Sequence, residues 1–213
     1  MCGCSDCRGW KFFRSLGSPR IWVAPMVDGS ELPFRLLCKR HGAEGAYSPM
    51  LHAKLFLNSK RYREEHFSTC AEDRPLFVQF CANDPEVFLQ AASLVQDNCD
   101  AIDLNLGCPQ RIAQKGNYGA FLMRNLSKIE KLVTTASKGL SVPVTVKIRI
   151  FEEFPDVPII ANGNIRNRED VEECLRFTGA AAVMSAQTLL DDPTALEGGG
   201  YQPAFSNLAN TTM

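Results

Sequence analysis

Short apolar runs alternate with helix-length amphipathic stretches along most of this chain. Ile21-Trp22-Val23-Ala24-Pro25-Met26, Gly45-Ala46-Tyr47-Ser48-Pro49-Met50, Leu76-Phe77-Val78-Gln79-Phe80, residues 101–104, residues 144–150, Val157-Pro158-Ile159-Ile160-Ala161 and Ala181-Ala182-Val183-Met184 are rich in β-branched and aromatic residues and run into proline, glycine or polar positions, which predicts seven short strands. Helical spacing fills the intervals. Asp28 or Ser30 is placed to cap a helix carrying Leu32, Leu36 and Leu37 up to Gly42, and residues 51–57 suit a short helix. Asn83 or Asp84, followed by Pro85, opens a helix with Val87, Phe88, Ala91 and Leu94 on one face. Residues 127–138 turn Ile129, Leu132 and Val133 inward, and residues 168–177 form a helix closed by Gly179.

Strands that alternate with helices predict a parallel α/β architecture, here a TIM (β/α)8-type barrel with its site at the C-terminal face of the strands. The count is one short of eight. Only residues 151–156 join the fifth strand to the next, whereas a parallel crossover needs about a dozen residues or more. Six extended residues reach about 20 Å, enough to carry the chain back to the bottom of the sheet and no more. The barrel is therefore expected to lack one β/α unit, its sixth, and to keep the strands at 144–150 and 157–161 parallel with a vacancy between them. Residues 1–19 are expected to be a disordered leader, 20–190 the barrel, and 191–213 a flexible tail.

Composition narrows the class of protein. With 213 residues, 45% of them hydrophobic, and a net charge of −1, the chain has room for one large core and lacks a dominant electrostatic partner surface. No run of about 18 apolar residues is present, so neither a membrane span nor a signal peptide is expected, and a reducing compartment, cytoplasm or nucleus, is the default. Of the nine cysteines, Cys38, Cys81, Cys99 and Cys174 fall inside apolar patterns as small hydrophobes rather than as a disulfide framework. Cys2, Cys4 and Cys7 supply half of a zinc site and no second pair follows, so no metal is expected. No stable protein partner is evident.

The stretch Ala101-Ile102-Asp103-Leu104-Asn105-Leu106-Gly107-Cys108-Pro109 carries the candidate chemistry, because it sets Asn105 and Cys108 at the mouth of a strand. Two readings of Cys108 are open from the residues alone: a reactive thiol, or a small buried cysteine beside a turn. Gln79 and Lys147 likewise read either as ligand contacts or as a sheet-end hydrogen bond and a snorkelling lysine. The mixed-charge segment with Lys60, Arg61, Arg63, Glu64, Glu65 and His66 reads as a solvated face or as a nucleic-acid contact.

Taken together, Ala24-Pro25-Met26, Ser48-Pro49-Met50, Gln79-Phe80, the Asp103 to Pro109 stretch followed by Gly116 and Gly119-Ala120, Lys147-Ile148-Arg149 and Ala161-Asn162-Gly163-Asn164 resemble the tRNA-dihydrouridine synthase family. Met26-Val27-Asp28 and the run from Gln79 to Glu86 are most similar to its eukaryotic branch for positions 16 and 17 of the D-loop. The resemblance implies an FMN-dependent TIM barrel that reduces uridine in tRNA to dihydrouridine with NADPH or NADH. By motif position it implies that Ala24, Pro25 and Met26 border the flavin, that Gln79 and Lys147 meet its pyrimidine edge, and that Asn162, Gly163 and Asn164 meet its phosphate. It further implies that Asn105 contacts the uracil and that Cys108 is the general acid that protonates C5 after hydride reaches C6. Ser185 and Ala186 stand where the family has a phosphate-binding Gly-Arg. Its sixth strand, ending in a His-Gly-Arg type motif, and its C-terminal helical tRNA-binding domain are expected to have no counterpart in this sequence. Two alternatives accompany this reading: a non-catalytic remnant or isoform that binds tRNA or a partner weakly, and an FMN-dependent oxidoreductase acting on a small molecule.

Overall fold

Strand-forming residues dictate the frame. In the computed structural model, which describes residues 7–149 and 157–197, β1 (Ile21–Val23), β2 (Gly45–Tyr47), β3 (Leu51–His52), β4 (Leu76–Cys81), β5 (Ala101–Asn105), β6 (Val144–Lys147), β7 (Ile160–Asn162) and β8 (Ala182–Ser185) form one sheet. Its order is β6-β5-β4-β2-β1-β8-β7, with β3 also on β4, and every pairing is parallel. Apart from β3 and the step from β6 to β7, consecutive strands lie side by side and β1 lies beside β8, which is the order of a barrel rather than of a doubly wound sheet. The order ends at β6 on one side and β7 on the other. Among the described residues these two edges do not pair, so the barrel is open where the sequence lacks its sixth unit; the connector itself lies outside the described residues.

Inward and outward faces follow the period of two. Inward at the bottom are Trp22, Tyr47, Phe77, Ala101, Ala182 and Met184, with the Trp22 and Phe77 rings 4.6 Å apart. A Cβ on Gly45 would lie 2.6 Å from the indole of Trp22, so only glycine lets β2 run beside that ring. Outward, Val78, Phe80, Ile102 and Leu104 pack under α5 (Pro85–Ser93) and α7 (Leu126–Gly139), while Ile21, Val23, Ala46 and Val183 pack under α2 (Leu32–Arg40) and α8 (Arg168–Thr178). At the open edge this cover thins, and Val146 of β6 is 44% exposed.

Local chemistry sets the helix ends. Asp84 accepts from the N–H groups of Glu86 and Val87 ahead of Pro85, Asn125 and Asn167 cap α7 and α8 in the same way, and Gly179 ends α8 in the left-handed region. The start of α2 differs from expectation. Glu31 is its N-cap residue without a side-chain cap bond, while the Ser30 hydroxyl turns back to the N–H and carbonyl of Met26. Within α2, Arg35 is buried and paired with Asp73 at 2.5 Å; its guanidinium also donates to the carbonyls of Ser30 and Ser68, tying the β1–α2 loop to the segment ahead of β4.

Two further expectations are corrected. Residues 8–15, assigned to a disordered leader, form α1 (Arg8–Ser15), whose Phe13 is buried and whose Phe12 stacks on Phe77 at 6.0 Å. The helix closes the bottom of the barrel interior. Leu51 and His52 are strand rather than helix: β2 breaks at Ser48-Pro49-Met50 and the chain rejoins β4 as β3, so the next helix, α3 (Ala53–Asn58), starts two residues late. Residues 60–66 form α4 (Lys60–His66), whose basic side chains are met locally. Lys60 pairs with Glu64, Arg61 with Glu65, and Arg63 donates to the carbonyls of Phe56 and Leu57. This favours the solvated-face reading of that segment. Burial pushes the Cys38, Cys81 and Cys99 thiols up to about 12, in keeping with their use as small hydrophobes. Cys2 and Cys4 lie outside the described residues, among which no helix is long and apolar enough to cross a membrane.

Candidate active site

Above the aromatic floor the barrel interior turns polar. Gln79, Asp103 and Thr145 stand side by side in the register of β4, β5 and β6, and Asn105 stands beside Lys147 two residues further up. Thr145 Oγ1 donates to Asp103 Oδ1 at 2.6 Å and Gln79 Nε2 donates to Asp103 Oδ2 at 2.7 Å. Asn105 Nδ2 donates to Gln79 Oε1 at 2.9 Å, and Asn105 Oδ1 accepts the N–H groups of Gly107 and Cys108 at 3.1 and 2.9 Å. The broken β2 edge joins in, since the Ser48 hydroxyl accepts the Gln79 N–H at 3.0 Å.

Burial dominates the electrostatics of this layer. Asp103 is 0% exposed, and loss of solvation raises its carboxyl from 3.8 to about 6, although hydrogen bonds from Thr145 and Gln79 and the charge of Lys147 oppose the rise. Burial also lowers the Lys147 ammonium, against the favourable charge of Asp103. A carboxyl whose folded pKa lies above its unfolded value binds its proton more tightly in the fold. It therefore adds stability as pH falls through about 6, and the gain levels off near the unfolded value. Between pH 7 and pH 4 the stability of Asp103→Asn relative to the wild type is expected to fall by about 2 kcal/mol. Denaturant unfolding of both proteins at the two pH values checks it; a constant difference would contradict the raised carboxyl.

Cys108 is half-buried just past β5. Its N–H is held by Asn105, its carbonyl accepts the Ala120 N–H at 3.0 Å, and Gly119 (φ 65) passes so close that a Cβ there would lie 2.6 Å from the Cys108 oxygen. Beside it lie Pro25, Asn105, Gly107, Lys147, Ile148, Arg149 and Asn162, around a cleft of about 340 Å³ at the C-terminal mouth of the strands. That volume falls at the small end of the roughly 300–1,000 Å³ usual for small-molecule sites. Its walls come from both sides of the open edge: Asn105, Lys147 and Arg149 from the β5 and β6 side, Asn162 from β7.

Five of the residues singled out from the sequence thus meet in one cleft: Pro25, Asn105, Cys108, Lys147 and Asn162. Gly163 and Asn164 follow directly, in a turn that is left-handed at Asn164 (φ 53). The others stand elsewhere. Ala24 is buried in the barrel interior and Met26 packs in the outer layer beneath α2. Gln79 lies beneath the cleft with both ends of its amide engaged. Ser185 is buried with its hydroxyl on the Ile165 carbonyl, and Ala186 precedes the short helix α9 (Gln187–Asp191). Arg149, Asp103 and Thr145 are additions. Their signal was a polar residue at every second position of two apolar strands, which places them on the inward face.

The sheet is that of a parallel α/β barrel, and its polar cleft, with a thiol at the strand mouths, is a candidate active site. The dihydrouridine synthase (Dus) family model matches residues 22–156 and 151–208, and the chain belongs to this family. It is similar to the tRNA-dihydrouridine(16/17) synthase (NAD(P)(+))-like protein of Rattus norvegicus, with 44% identity over 252 residues covering 95% of this chain and 57% of the relative. The tRNA-dihydrouridine(16/17) synthase (NAD(P)(+)) of Saccharomyces cerevisiae is 42% identical over 254 residues, covering 95% and 58%. A human tRNA-dihydrouridine(20a/20b) synthase (NAD(P)+)-like protein is 31% identical over 221 residues, covering 82% and 70%. The chain spans just over half the length of the first two. Because 95% of 213 residues is about 202, some 50 of the 252 aligned positions have no counterpart in this chain. The two family matches share residues 151–156, between β6 and β7, and about 50 residues suffice for a β/α unit.

Proposed function

We propose that the cleft is the active site of a flavin-dependent uridine reductase, which holds FMN and, with NADPH or NADH as electron source, reduces uridines at positions 16 and 17 of the tRNA D-loop to dihydrouridine. The observation that carries this reading is the convergence of Cys108, Asn105 and Lys147 with Asn162 around one cleft. The donor set suits FMN. Lys147 and Arg149 bring positive charge to the wall, and the Asn162-Gly163-Asn164 turn offers successive backbone N–H groups of the kind that receive phosphate oxygens. Gln79 serves from below, by holding Asn105.

When bound, FMN supplies the hydride for uracil C6. The chain's own side chains do the rest. Asn105 has one Nδ2 hydrogen to spare after its bond to Gln79 and uses it to hold the uracil edge. The Lys147 ammonium favours negative charge at the ring edge. The Cys108 thiol, fixed through its own N–H, delivers the proton to C5. The open edge favours a second reading for the shortened chain as it stands, a form that binds FMN weakly and reduces no tRNA.

Titration with FMN, followed by quenching of flavin fluorescence, tests the site. Lys147→Met removes one charge-assisted contact and is expected to weaken saturable binding at least about tenfold. Binding indifferent to Lys147, or none at all, would contradict the assignment.

A further inference from the structure

We propose that Asp103 is a positioning residue: the acceptor oxygen it presents, acting through Gln79 and Asn105, fixes the direction of the hydrogen-bond chain and so the orientation of the turn that carries Cys108. The catalytic consequence rests on the reading of Cys108 as proton donor, while the positioning itself does not. The structure supplies a continuous chain of hydrogen bonds whose two ends leave no choice of direction. At one end an ionised carboxylate only accepts. At the other end the N–H groups of Gly107 and Cys108 only donate. Between them stand two amides, each with one donating and one accepting edge. One arrangement alone satisfies every group: Gln79 gives its Nε2 to Asp103 and its Oε1 to Asn105, and Asn105 gives its Nδ2 to Gln79 and its Oδ1 to the turn. Asp103 and Gln79 are almost completely buried and Asn105 is 9% exposed, so water does not readily replace a mismatched partner. Thr145 holds the other carboxylate oxygen and stops the head of the chain from swinging.

Reversing the direction tests this without changing the size of any side chain. In Asn105→Asp the turn still meets an acceptor, but Gln79 now lies between two carboxylates and one of them loses its donor. One relief is for the new carboxylate to leave the turn; the other, protonation of the already raised Asp103 carboxyl so that it donates to Gln79, is disfavoured by measuring at pH 8. Amide exchange at Gly107 and Cys108, compared with amides in the neighbouring strands, is expected to speed up at least about tenfold. Adding Asp103→Asn restores a complete chain running the other way, in which the new amide at position 103 donates to Gln79 and Gln79 donates to the new carboxylate at position 105. Exchange in Asp103→Asn/Asn105→Asp should return to within about threefold of the wild type. Asp103→Asn alone, which still accepts from Gln79 and donates to Thr145, should sit near the wild type as well. If Asn105→Asp does not fold and the double variant does, the proposal stands. If the double variant is no better than Asn105→Asp alone, or if Asn105→Asp exchanges like the wild type, it is overturned. The readout uses neither flavin nor tRNA, so failure of the proposed activity leaves it intact.

Discussion

On the proposed function, replacing Cys108 with alanine in a form of this chain carrying the missing β/α unit is expected to lower dihydrouridine formation by about 10² or more and to leave FMN binding unchanged. The size follows from what the reduction requires. Hydride addition to C6 leaves negative charge that must be quenched at C5 by one positioned acid. Cys108 is the thiol on the cleft wall. The adjacent Cys81 is 1% exposed and faces the small cluster with Tyr118 and Ala113, so it has no path to the substrate. Alanine keeps the turn, because Asn105 holds residue 108 by its backbone N–H rather than by its side chain. Nucleoside analysis of unmodified tRNA after incubation with each protein reads the effect, and equal modification by the variant would remove Cys108 from the mechanism.

Much of this architecture was legible in the sequence because its signals are local. Seven strands and their barrel order follow from apolar runs punctuated by proline, glycine and asparagine, and the missing unit was visible as a connector too short for a crossover. What escaped depends on tertiary partners. α1 follows a cysteine cluster and gives no strong cap, and its order comes from Phe12 and Phe13 meeting Phe77 and Trp22, far along the chain. Leu51-His52 is too short for its period to decide between strand and helix. In the cleft, residues at strand ends beyond the ladder were the hardest to orient. Pro25 lines it while Met26 turns outward, because β1 stops at Val23 and alternation no longer holds. Asp103 was visible as part of a motif, yet its role required the register that sets it between Gln79 and Thr145.

The open edge carries the second large expectation, that FMN binds the chain as it stands at least about tenfold more weakly than the same chain with its missing unit restored, and that tRNA reduction is detectable only in the restored form. The contacts offered to FMN come from strands on both sides of that edge, with Lys147 at the end of β6 and Asn162 at the end of β7, and no ladder joins these two strands among the described residues. Among the described residues no strand fixes their separation directly, and ordering it becomes a cost of binding. On the family resemblance, the sixth strand would add at least one charge-assisted phosphate contact, worth about 1.5–3 kcal/mol, or roughly ten- to a hundredfold in affinity. The direct measurement is a parallel titration by flavin fluorescence quenching. One arm is this chain, and the other is this chain with the corresponding unit of about 50 residues from the rat relative inserted at residues 151–156. At least tenfold tighter FMN binding in the restored chain is the predicted result; equal affinity in the two arms would contradict the account.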